Sequence, residues 1–157
     1  VKFMSNQASS QQVLPLNVEQ KLRQIILKDL VSDKVGLFYK QHTEAMLAQA
    51  RAVIQENELK NPVATQLLLA VYGYHWGCCH LHEQPGHAHK NLMAHKDVCF
   101  KLSAIKLERF LIYHFPKLLT QGQLLEMVDA VEAQNQQKLP TKSLASLLKT
   151  VVISVTI

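Results

Sequence analysis

Imidazole and thiolate, the side chains that hold zinc and related metals, crowd into one short stretch of this chain. Six of the eight histidines fall between His75 and His95, with Cys78 and Cys79 among them and Cys99 just beyond. The stretch reads His75-Trp76-Gly77-Cys78-Cys79-His80-Leu81-His82, then a Pro85-Gly86 break, then His87-Ala88-His89. On a helical wheel of about 100° per residue, His75, Cys79 and His82 fall within about 60° of one another. His95 and Cys99 share a face at spacing i, i+4. Two such pairs, Cys79 with His82 and His95 with Cys99, could present four donors across one helix–helix seam, with His75 as a substitute ligand. Tetrahedral zinc needs four donors at about 2.0–2.3 Å, so zinc is the cofactor this spacing would suit. The order differs from the usual one, in which the cysteines come first and the histidines last. Core burial accounts for the same residues without a metal, because cysteine also packs as a small apolar group. The adjacent pair Cys78-Cys79 is not the Cys-x-x-Cys of cytosolic redox proteins. Neighbours on a helix point about 100° apart, which disfavours a bridge between those two.

The elements that would position these residues read as helices throughout. Asn17 with Gln20 resembles a capping box, followed by Leu22, Ile25, Ile26 and Leu30 at helical spacing, for a first helix over about 18–31. Ser32 and Asp33 would cap a second, carrying Leu37, Phe38, Met46, Ala50, Val53 and Ile54 and ending near Asn57. Asn61-Pro62 would start a third, over about 62–82, nearly free of charge on every side and so the central, buried one. A fourth, over about 90–114, stops before Pro116. Thr120 with Gln123 repeats the capping box and opens a fifth, reaching to about Lys138. A sixth follows Pro140-Thr141, although its β-branched end, Val151 to Ile157, could instead be extended. No strand-like alternation or hairpin turn is present. The expected fold is all-α, a single-domain bundle of about six helices over 17–157, preceded by a flexible N-terminal arm over 1–16.

Bulk properties narrow the function classes. Charged residues make up 18% of the chain, against about 25% in ordinary domains. The formal charge of +5 permits an acidic partner or nucleic acid without requiring either. Cysteines are odd in number and clustered, unlike a secreted disulfide framework. No apolar stretch is long enough for a membrane span of about 20 residues. No signal-peptide run is visible, so cytoplasm is the expected compartment. Gly-rich phosphate loops, His-Glu-x-x-His and Gly-x-Ser-x-Gly are missing, which leans away from an enzyme.

The first functional expectation is therefore a non-catalytic helical adaptor or regulatory protein, binding a protein partner as a hetero- or homo-oligomer. Its contact surface would be the stripe Leu144, Leu147, Leu148, Val151 and Val152 of the sixth helix, laid into a partner's groove. The second is a zinc protein with the site given above. The third, a nucleic-acid-binding regulator, rests on Lys96, Lys101, Lys106, Arg109 and Lys117, which scatter over several faces instead of forming one stripe.

Overall fold

The computed structural model describes residues 13–32, 36–78 and 92–155, with the backbone alone for 92–97. Among them six helices form an all-α bundle. α1 is one continuous helix, built from Leu16–Leu22, a π-helical segment Arg23–Leu27 and Lys28–Val31. α2 spans Gly36–Glu56, α3 Val63–Gly73 and α4 Leu92–His114. α5 spans Gln121–Glu132, extended by a 3-10 turn at Ala133–Asn135, and α6 spans Leu144–Ser154.

α3 is the centre. Every residue from Ala64 to Gly73 is buried, and the helix touches α1, α2, α4, α5 and α6. A helix apolar on all sides can satisfy no other position. Its polar side chains make hydrogen bonds: Thr65 Oγ1 donates to Asn61 Oδ1 at 2.7 Å, Gln66 Nε2 donates to the Gln123 carbonyl at 2.8 Å, and the Tyr72 hydroxyl donates to Glu19 Oε2 at 2.6 Å.

Several boundaries follow local chemistry. Thr120 Oγ1 accepts from the Gln123 amide at 3.2 Å while Gln123 Oε1 accepts from the Thr120 amide at 2.9 Å, a complete capping box for α5. α5 ends six residues earlier than the sequence suggests, because buried Gln134 donates to the carbonyls of Ala130 at 2.9 Å and Ala145 at 3.0 Å, closing one helix and tying it to the next. α6 is helical through Ser154, so its β-branched residues keep helical geometry to that point. Leu14 is in the core, and α1 opens at Leu16 behind Pro15 with no side-chain cap, leaving Asn17 inside the first turn. Ser32 closes α1 instead of opening α2, its hydroxyl donating to the Asp29 carbonyl at 2.6 Å; Asp33 lies outside the described residues.

Gly122, second residue of α5, has open space where a Cβ would stand. Gly122→Ala should stabilise the protein by about 0.5 kcal/mol through helix propensity alone. A thermal melt should show a midpoint about 1–2 °C higher; a lower midpoint would contradict the open setting.

Candidate functional site

The sequence-predicted metal site depends on α3 continuing to residue 82, and it does not. α3 ends at Gly73, and residues 74–78 run on as turns closed by i→i−3 bonds such as Trp76 N to Gly73 O (3.1 Å) and Cys78 N to His75 O (3.0 Å). The cause is Ser103 on α4. Its hydroxyl accepts from the Gly77 amide at 2.7 Å and donates to the Tyr74 carbonyl at 2.9 Å. In a continuing helix Gly77 N–H would bond the Gly73 carbonyl and the Tyr74 carbonyl would accept from Cys78. One hydroxyl from another helix takes both places. Lys106 Nζ satisfies the Trp76 carbonyl at 3.1 Å and lies over the Trp76 ring, which removes it from any solvent-facing basic set.

With α3 ended at Gly73, the helical wheel no longer places the predicted ligands. Cys79 and His82 lie outside the described residues, as does the side chain of His95. His75 turns toward α2, where its Nε2 lies 2.7 Å from His42 Nδ1 and its ring stacks on Tyr39 at 5.1 Å. Cys99, 1% exposed, meets Cys78 instead. The zinc expectation is corrected accordingly: among the described residues no three His, Cys, Asp or Glu side chains gather to hold a metal ion.

The histidine pair has a defined polarity. His42 also hydrogen-bonds the Val155 backbone. A histidine that donates through its other nitrogen keeps a lone pair on Nδ1, so the His75 Nε2–H donates to it. Both rings are then neutral. Burial first, and the neighbouring His42 second, hold His75 down to about 3. Burial also lowers His42, against the opposing bond to Val155. Burial pushes the Tyr74 phenol beside them up to about 12. Glu44, two residues further along α2, pairs with Arg23 at 3.0 Å.

The predicted partner stripe lies mostly against the bundle. Leu144, Leu148 and Val151 are buried, and Leu147 and Val152 are half-buried against the core. α6 lays its stripe on α2, α3 and α5, while Ile153 stands outside the stripe at 70% exposure.

An apolar cleft of about 340 Å³ opens elsewhere, at the corner between α4 and α5. Phe115-Pro116 stops α4, since a residue before proline is pushed out of helical geometry, and the capping box starts α5 at once. The two helices diverge around that short corner. Leu111, Phe115, Leu118, Leu119 and Leu124 form the interior of the cleft, and Ile112 and Leu125 stand on its walls at 56% and 46% exposure. Glu108 is the single charged residue of the lining. A second cleft, about 490 Å³, backs onto the same Leu118 and Leu119 and reaches Leu14 and Pro62. The sequence held one signal of the first cleft. Leu124 and Leu125 are adjacent on a helix, so only one of them can face the core.

Comparison with known proteins finds no family model, no curated protein and no solved structure that matches this chain. No helix among the described residues is long and apolar enough to cross a membrane.

Proposed function

We propose that the protein is a non-catalytic helical binding module whose α4–α5 cleft receives an amphipathic helix of a protein partner. The observation that carries this reading is an apolar cleft walled by side chains half open to water, Ile112 and Leu125, between two helices that a proline corner separates. Large apolar residues exposed together at a cleft are the usual mark of an interaction site. Covering the exposed half of Ile112 and of Leu125 would contribute roughly 1 kcal/mol each.

Charge narrows the partner. Glu108 lines the cleft and has no ion-pair partner among the described residues. Leu125, Asp129 and Glu132 follow at i, i+4 and i+7 on the exposed face of α5, so the wall turns acidic beyond the cleft. Arg109 and Lys117 are not among the lining residues. A helix with apolar anchors at i, i+4 and i+7 and Lys or Arg flanking them is the complementary partner.

The test uses a fluorescent helical peptide with leucines at those positions and lysines beside them, and a twin with glutamates in place of the lysines. Fluorescence anisotropy should show the lysine peptide binding at least tenfold tighter than its twin. Leu125→Asp should abolish binding with the circular-dichroism spectrum unchanged, since the residue is a wall and not core. Glu108→Lys should reverse the preference between the peptides. Equal binding to wild type and Leu125→Asp would overturn the reading. So would a homodimer, by sedimentation, that Leu125→Asp dissociates, since a second copy would then fill the cleft.

A further inference from the structure

Where the turn after α3 meets α4, two thiols are brought together from opposite sides of a tight backbone contact. A Cβ on Gly77 would fall 2.0 Å from the Cys99 carbonyl oxygen and 2.3 Å from the Ser103 amide nitrogen, so these two strands of backbone touch. Cys99, Ser103 and Lys106 lie at i, i+4 and i+7 on one face of α4. Ser103 and Lys106 grip the turn through Tyr74, Trp76 and Gly77, which fixes the register and places Cys78 opposite Cys99. The two side chains are hydrogen-bonded, and that bond from Cys78 draws the Cys99 thiol below its ordinary range. They are thiols, not a disulfide. Cys78 is half-buried and Cys99 is buried, so an oxidant from solution meets Cys78 first.

We propose that Cys78 and Cys99 are a modification site, forming a reversible disulfide when a hydroperoxide oxidises Cys78. Cys78 first yields its thiol proton to solvent; the resulting thiolate attacks the terminal oxygen of the peroxide, the O–O bond breaks, and the alkoxide takes a proton from solvent and leaves as an alcohol. Cys78 is then a sulfenic acid. The Cys99 thiolate attacks the Cys78 sulfur, the S–O bond breaks and water leaves. Two thiols and one hydroperoxide give one disulfide, one alcohol and one water. The bridge would pin the turn after α3 to α4 and tie together the ends of the twenty-residue segment 79–98, which carries Cys79 and five of the histidines.

The sequence alone pointed away from a bridge because it offered Cys79 as the neighbour of Cys78. The structure supplies a different partner from another helix. This inference does not depend on the α4–α5 cleft.

The full chain is treated with a few equivalents of hydrogen peroxide, denatured and alkylated, and its intact mass is measured. Two of the three thiols should resist alkylation, and dithiothreitol should restore all three. Cys79→Ser should still form the link, Cys78→Ser should lose it, and Cys99→Ser should leave a sulfenic acid on Cys78 that dimedone traps. The same oxidation in guanidinium should join Cys99 to Cys78 and Cys79 about equally, whereas the native protein should favour Cys78 at least tenfold. Loss of the link in Cys79→Ser, or oxidised wild type that still alkylates at three thiols, would overturn the proposal. Thermal melts of the reduced variants establish that each is folded before oxidation.

Discussion

Lowering the pH from 6.5 toward 3 will destabilise the fold through the His42–His75 pair. His75 is held near 3 in the folded protein, while an unfolded chain protonates its histidines near 6.5. Across that window the unfolded state binds the extra proton and the native state does not. Stability from this residue is therefore complete above pH 6.5 and is lost as pH falls toward 3, by up to about 1.4 kcal/mol per pH unit. His42 is shifted the same way and adds to the upper part of the slope.

The cause is structural. The His75 ring sits among Phe38, Tyr39 and Tyr74 and donates to His42. An imidazolium there would give up its hydration and face a neighbour with no charge to offer. Urea unfolding at pH 6.5 and 4.5 should show a midpoint lower by about 1 M at the acid end, given a slope of about 1–3 kcal/mol per molar. His75→Phe keeps an aromatic ring in the same cage and should flatten that difference by half or more. Parallel pH profiles for wild type and His75→Phe would show that the pair does not carry the effect.

What could be read from sequence was whatever is decided within one turn of chain. The charge-free run after Pro62 has nowhere to go but the centre of a bundle. Thr120 and Gln123 cap their own helix, and Phe115-Pro116 stops the one before. The end of α3 is of a different kind. Nothing between Gly73 and His82 breaks a helix by itself, so the periodicity ran on and the wheel placed His75, Cys79 and His82 on one face. The terminating group is the Ser103 hydroxyl, 26 residues from Gly77 in sequence, and no local pattern announces it. The metal site was drawn on a helix that tertiary contact had already ended.

The partner surface shows the same limit. Leu144, Leu148 and Val151 make a sound amphipathic stripe, but amphipathicity says only that a face must be covered. It does not say by what. In the bundle α2, α3 and α5 cover it, whereas Ile112 and Leu125 stay exposed where a proline corner separates α4 and α5 at one end. Spacing along one helix carries no information about the gap between two.

Replacing Gly77 by alanine tests the contact on which the end of α3 depends. The new methyl would stand 2.0 Å from the Cys99 carbonyl oxygen, 2.3 Å from the Ser103 amide nitrogen and 2.7 Å from Ser103 Oγ. Two of these three atoms are backbone of a long helix, which cannot swing aside as a side-chain tip can. The turn must lift from α4, lengthening the Gly77–Ser103 bond and exposing Tyr74 and Trp76 carbonyls that Ser103 and Lys106 now satisfy. Overpacking of this kind costs about 3 kcal/mol, a fall of roughly 6–12 °C in the thermal midpoint for a chain of this size. Gly73→Ala is the control. Its Cβ would meet only the Leu107 side chain, at 3.0–3.3 Å, and alanine's helix propensity, worth about 1 kcal/mol over glycine, offsets the crowding to leave a near-neutral change. If Gly77→Ala and Gly73→Ala melted together, the backbone contact would not be what ends α3, and the placement of Cys78 against Cys99 would lose its physical basis.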